Sequence, residues 1–216
     1  MKDCYFIKAI GKNAEFIKMF LVKNDSSWRW EGVIHEVLRS SDSTKSRELF
    51  DKATISYDET SGYRAQNPQK YLDDINILQK ALIKEPDHPR YTFYLAQSYL
   101  HAGFSDLALM TYEKRVKLDA DGEEVFWSYY CIGCLREELE YPLASIIEAF
   151  CKAYQCKPDQ AESLYLLASH LKEYPFLGYL IANYAKTISV PQTAARMQEW
   201  MYHKIPELCA EYEKEF

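Results

Sequence analysis

Apolar residues along the chain follow two different rhythms. Through the first sixty residues they come in short runs rich in aromatic and β-branched side chains, "YFIKAIG", "EFIKMFLV", "WRWEGVIHEVL" and "ATISYDE". The turn-like "GKNA", "KNDSS" and "SSDSTKS" lie between them. Runs of that length read as strands, although "EFIKMFLV" is open to a helical reading by periodicity alone. The expected arrangement is a small antiparallel meander of four strands, enough for a sheet when one face is covered. After "TSGYRAQNP" the rhythm changes. Tyr71, Ile75, Leu78 and Leu82 stand at helical spacing. Asn67 is placed to cap that helix with Pro68 at its first position, and Pro86 ends it. Residues 1–62 therefore read as a β-rich head and residues 63–216 as a helical body, mainly α with an α+β character overall.

The body repeats itself. "YTFYLAQSYLHAG", "YYCIGCLREELEY" and "LYLLASHLKEYP" align with Ala96, Gly133 and Ala168 as the small residue, at separations of 37 and 35 residues. Each is followed by a second helical segment, "SDLALMTYEKRVKL", "YPLASIIEAFCKAY" and "FLGYLIANYAKTI". Tetratricopeptide (TPR) repeats have a period of about 34 residues, two antiparallel helices, and small residues where helices cross. The middle repeat drifts by a residue or two. A lone helical hairpin cannot bury its apolar face, so neighbours stack and share a core, which predicts a TPR-like α-solenoid. "QTAARMQEWMYHKI" is placed to act as a terminal cap, with the charged "PELCAEYEKEF" facing solvent.

In such a stack the first helix of each pair lines a concave surface. Six residues before each small residue stand Arg90, Trp127 and Glu162, and three before it Phe93, Tyr130 and Tyr165. One after it are Gln97 and Ser169, with Cys134 in the middle repeat, and His101 lies five after Ala96. These positions suggest an aromatic spine with polar edges, suited to a peptide, a glycan acceptor or a partner protein. The other reading is that the rings fill the spaces between helices, as most aromatic stripes do.

Composition narrows the classes. At 216 residues and 48% hydrophobic content the chain can build a real core. A net charge of −6 without basic runs argues against nucleic acid. No segment approaches the ~20 apolar residues of a membrane span, and the start does not read as a signal peptide, so a cytoplasmic protein is expected. Among six cysteines, Cys131 and Cys134 form a CxxC followed by Cys151 and Cys156. On amphipathic helices this spacing makes a poor tetrahedral zinc cage, and buried free cysteine is the simpler reading.

Taken in order, "WRWEGVIHEVL", "SGYRAQNPQKYLDDINILQKAL", "RYTFYLAQSYLHAG", "DLALMTYEKRV", "GEEVFWSYYCIG" and "AESLYLLASHL" resemble the C-terminal half of bacterial-type family 2 glycosyltransferases that carry TPR repeats. The most specific pieces are Trp30-x-Gly32-x-x-His35-Glu36 and Tyr63-Arg64-x-x-x-Pro68-x-Lys70-Tyr71. The resemblance implies that the first piece is the last strand and loop of a catalytic domain, beside a metal–diphosphate site. It makes His35 a candidate ligand of Mn²⁺ or Mg²⁺ or of the donor diphosphate. Glu36 supports that region, Trp28 and Trp30 shape the acceptor side, and Arg64 contacts phosphate or pins the linker. The family's nucleotide-binding half and its Asp-x-Asp motif do not precede this segment. The only Asp-x-Asp, Asp119 to Asp121, follows the helical "YEKRVKL". One imidazole cannot hold a hard divalent cation alone, so no cofactor is expected for this chain by itself.

Three functional readings follow. In the first, the chain is not catalytic alone and works through its groove. In the second, it is the acceptor-side half of a split, metal-dependent glycosyltransferase, completed by a catalytic-half protein, with an exposed His35 and an uncovered sheet edge open to pairing or a homodimer. In the third, it is a scaffold unrelated to sugars, with the head's tryptophans buried.

Overall fold

The computed structural model describes residues 2–11, 15–56, 67, 69–118, 122–190 and 199–215. The chain divides into two compact units, with the boundary between Lys70 and Tyr71.

The head contains β1 (Cys4–Ile10), β2 (Glu15–Val22), β3 (Trp28–Glu31), β4 (Val37–Ser40) and β5 (Arg47–Ser56). β1 is central in a three-stranded sheet of order β2-β1-β5, and β3 pairs with β4 in a separate hairpin. The β1–β2 and β3–β4 pairs are antiparallel, as the meander requires, but β5 runs parallel to β1. The cause lies in the loops. The Asp3 carboxylate accepts from the Ser46 amide at 3.0 Å and the Ser46 hydroxyl at 2.7 Å, and the Cys4 amide donates to the Ser46 carbonyl at 3.1 Å. These bonds pin the start of β5 beside the start of β1, so the two strands leave in the same direction. Lys45 (side chain 12% exposed) pairs with Asp25 at 2.6 Å and lies 3.9 Å from Asp3. The "KNDSS" and "SSDSTKS" loops are thereby tied through one ammonium. The stretch "WRWEGVIHEVL", expected as one strand, folds into two strands around the loop of residues 32–36. Gly32 (φ 114°) and His35 (φ 50°) supply the positive φ angles of that turn.

The body contains α1 (Lys70–Lys84), α2 (Pro89–His101), α3 (Ser105–Arg115), α4 (Gly122–Glu138), α5 (Leu143–Cys156), α6 (Glu162–Ser169), α7 (Pro175–Ala185) and α8 (Glu199–Tyr212). The Asn67 side chain accepts the Gln69 amide at 2.9 Å ahead of α1, which begins at Lys70 rather than at position 68, and Pro68 lies outside the described residues. The His88 ring caps α2 by accepting the Tyr91 amide at 3.2 Å. The pairs α2/α3, α4/α5 and α6/α7 are the three repeats, and α4, the longest helix of the six, accounts for the drift of the middle one. This is a TPR-like solenoid.

Ala96 and Ala168 are fully buried, as are Ala108, Ala149 and Ala182 on the second helices. Gly133 marks one of two very close approaches, since a Cβ there would lie 2.5 Å from the Phe150 ring, and one at Gly178 would meet the Tyr212 ring just as closely. One core runs through Phe150, Leu164, Leu167, Ala168, Ala182, Ile205 and Tyr212, so α5, α6, α7 and α8 share it. The terminal cap extends further than the sequence suggests. Leu208, Cys209 and Tyr212, expected in a solvated tail, continue the buried stripe of Met201 and Ile205. Among the described residues, no helix is long and apolar enough to cross a membrane.

A buried clasp joins the first two repeats. Glu124 on α4 receives Arg90 of α2 and Arg115 of α3, each at 3.0 Å, and Arg115 has no exposed surface. Removing Glu124 would leave the Arg115 charge buried without a counter-ion, whereas replacing Arg115 removes that charge and leaves Glu124 paired with Arg90. Glu124→Ala should lower stability by about 3–5 kcal/mol in urea unfolding, and Arg115→Met should cost clearly less. Gly133→Ala should lose about 1–3 kcal/mol from overpacking against Phe150, even though alanine favours the helix by about 1 kcal/mol.

Candidate functional site

The first helices carry the candidate surface, one residue away from where the aromatic spine was expected. On α2, Phe93 is 5% exposed and packs edge-on to Tyr112 with ring centres 6.1 Å apart. On α4, Tyr130 is 7% exposed, with its hydroxyl 3.9 Å from the Met201 sulfur. Glu162 at the start of α6 is also buried. These three fill the spaces between helices. Arg90, Gln97, Trp127, Tyr165 and Ser169 are half-buried, and His101 is exposed and stacked on Tyr71 at 4.8 Å.

Tyr94, which the repeat alignment passed over, completes the surface. It is half-buried beneath the Arg90 guanidinium at 4.8 Å. Arg90, Tyr94, Gln97 and His101 are spaced by four, three and four residues, which is one face of a helix. Measured from that face, the position two before the small residue lies nearer the axis of the stripe than the position three before it. The helical period alone could have found Tyr94. On α4 the equivalent stripe runs through Trp127, Cys131, Cys134 and Glu138.

The far end of the surface is finished by α8. Trp200 is 52% exposed and meets the Tyr165 ring edge-on at 5.9 Å. Nothing in the repeat pattern singles out Trp200, because α8 lies outside the repeats. The Tyr202 hydroxyl accepts the Ala161 amide at 3.0 Å and donates to the Glu162 carboxylate at 3.0 Å. Beside them Glu123 accepts from Trp127 Nε1 at 3.1 Å and pairs with Lys157 at 3.0 Å. Trp127 therefore stands next to an acidic and a basic group at this end, and Tyr165 stands against Trp200. Burial raises the Glu162 carboxyl above its ordinary value, against the opposing effect of its own backbone and of the Tyr202 hydroxyl.

Burial also pushes the Cys131 and Cys134 thiols up, to about 11 and about 12. Thiols so protonated are poor nucleophiles and poor metal ligands. All six cysteines are unpaired.

In the head, Trp30 is 63% exposed, His35 and Glu36 are exposed, and Trp28 is half-buried. On the opposite face of the hairpin, Glu31 takes Arg29 at 2.8 Å and Arg39 at 3.2 Å, which relieves two arginines placed directly across the strands. Among the described residues, no three histidines, cysteines or carboxylates gather closely enough to share an ion. Arg64 and Asp119 to Asp121 lie outside the described residues.

The fold and this surface define a helical-repeat protein of the TPR-like class. No protein-family model matches the chain, and no curated protein does. Solved structures similar to it include "Crystal structure of MamA", 13% identical over 71% of this chain and 94% of that one, with a TM-score of 0.49. "Crystal structure of MamA protein" is 16% identical over 67% and 78%, with a TM-score of 0.48. "MamA 41-end from Desulfovibrio magneticus RS-1" is 13% identical over 67% and 85%, with a TM-score of 0.49. At these values the class rests on the helical pairs described above.

The Glu162 shift has a sign that can be measured. The folded chain holds that proton more tightly than the unfolded chain. The stability it supplies is therefore complete below the ordinary glutamate range and is lost as pH rises through the raised value. Glu162→Gln keeps an acceptor for Tyr202 and removes the titration. Its urea midpoint should exceed that of the unaltered chain near pH 7, and the gap should close below about pH 4. A gap independent of pH would assign the effect to something other than this carboxyl.

Proposed function

We propose that the helical body is a protein-interaction module whose first-helix face takes an extended peptide segment of a partner protein. The observation that carries this reading is the stripe of Arg90, Tyr94, Gln97 and His101 on α2. It is matched toward the α8 end by Trp127 with Glu123 and Lys157 beside it, and by Tyr165 against Trp200. An extended peptide offers one amide donor and one carbonyl at nearly every residue. Gln97 can meet both kinds of group, while Tyr94, Trp127 and Trp200 supply apolar contact at low cost in side-chain entropy. A glycan acceptor is the weaker fit, because two of the three rings expected to form a stacking platform, Phe93 and Tyr130, are buried. The six unpaired cysteines suit a reducing compartment, and we place the protein in the cytoplasm on that ground.

A displayed library of short peptides supplies the test, with binding followed by the fluorescence of the tryptophans. Selected peptides should lose about 10- to 30-fold in affinity for Tyr94→Ala combined with Gln97→Ala, in keeping with truncation of central contact residues. Peptides that bind the double variant as well as the unaltered chain would place the binding surface elsewhere.

A second reading is favoured by the loop of residues 32–36, where exposed His35 adopts left-handed backbone three residues after Gly32 and beyond exposed Trp30. Strained, exposed polar residues concentrate at functional sites. On this reading the head is the acceptor-side corner of a sugar-transfer site, with His35 and Glu36 contributing to a Mn²⁺ or Mg²⁺ site that another chain must complete. A calorimetric titration with a sugar nucleotide and Mn²⁺ tests its requirement for a completing chain. Dissociation constants below about 1 mM for this chain alone would show a donor site already present, contrary to the requirement for a completing chain.

A further inference from the structure

The outward face of α7 differs from its counterparts in the other two repeats. The helix "PFLGYLIANYA" contains no charged residue. Gly178, Ala182 and Ala185 are its buried side, set against the rest of the body. The other side leaves Phe176 63%, Leu177 48%, Leu180 47% and Tyr184 51% exposed, with Tyr174 just ahead of the helix at 59%. The positions 176, 177, 180 and 184 share one helical face. On α3 the exposed residues include Asp106 and Lys114, and on α5 Glu148 and Lys152 form an exposed pair at 2.7 Å. The second helices of the first two repeats thus set charges among their exposed apolar residues, Leu107 and Met110 on α3 and Leu143 on α5, whereas that of the third carries none. Polar groups on this side are confined to exposed Asn183 and to the Tyr184 hydroxyl, which meets the Tyr154 hydroxyl at 2.9 Å.

Size and charge select the occupant. Aromatic side chains bring roughly 150–250 Å² each to a buried contact. Three half-exposed rings and two half-exposed leucines therefore leave on the order of 500 Å² of surface, near the upper limit for a patch on a monomer. Two copies meeting on this patch would cover on the order of 1,000 Å², the extent at which a specific interface becomes tenable. The chain carries a net charge of −6, so two copies repel over most of their surface. An uncharged face is where they can meet without setting like charges together.

We propose that this face of α7 is a self-association surface, on which a second copy of the chain packs across a two-fold axis with Leu180 near its centre. Such an interface uses the same patch twice. It is separate from the first-helix surface, so the dimer stands or falls independently of peptide binding.

Sedimentation equilibrium of the full chain tests this directly. At about 100 µM the mass should approach twice the 25.3 kDa of one chain and fall toward one chain on dilution. Leu180→Glu should be monomeric at the same concentration with an unchanged far-ultraviolet circular dichroism spectrum. Phe176→Ser, a milder change at the rim, should raise the dissociation constant at least tenfold and keeps the test open if the first variant does not fold. Leu107→Glu, on the outward face of α3, should remain dimeric. An unaltered chain that is monomeric throughout, or a dimer indifferent to Leu180→Glu and Phe176→Ser, overturns the proposal, including the case where a foreign protein or the chain's own head covers α7 instead.

Discussion

At Gly133 the backbone of α4 lies against the Phe150 ring with no room for another carbon, and the helical body is organised around approaches of this kind. A pair of helices has too little apolar surface to be stable alone, so each must borrow a face from the next. The borrowing works only if the axes come close, which requires alanine or glycine where they cross. Ala96, Gly133 and Ala168 meet that requirement on the first helices, and Ala108, Ala149 and Ala182 on the second. Once the axes are that near, large rings at neighbouring positions have nowhere to go but inward. Phe93, Phe126 and Tyr130 are drawn into the core by the same geometry that makes the repeat.

Electrostatics then adds what apolar packing lacks, which is order along the stack. Apolar faces tolerate sliding, whereas Glu124 is reached by Arg90 and Arg115 only when α2, α3 and α4 hold one relative position. The same logic recurs one helix further along, where Arg136 of α4 meets Glu113 of α3 at 2.9 Å and the Ser145 carbonyl of α5 at 2.8 Å. At the end of the body Tyr202 performs a related task, holding α8 to the start of α6 through Ala161 and Glu162. Charged and hydroxyl groups at these joints fix position, and the apolar core supplies most of the cohesion.

Much of this was legible in the residues. The helical period, the prolines that stop helices and the spacing of the small residues identify the pairs and their order. The groove was only half legible. Arg90, Gln97 and His101 do share a face, but the ring between them is Tyr94, because a position two before Ala96 lies closer to that face than one three before it. Trp200 could not be found from the repeats at all, since it comes from a helix outside them. In the head, period-two patterning marked the strands without their partners. The direction of β5 depends on Asp3 meeting Ser46, a contact between residues more than forty positions apart.

Local spacing therefore determined by itself that this chain makes helical pairs preceded by short strands, because the period of apolar residues follows from backbone geometry within a few residues. Tertiary structure alone decided which rings face water, which strand lies beside which, and that α7 keeps an uncharged side uncovered. Those outcomes depend on how closely distant segments approach, a quantity that no local period encodes.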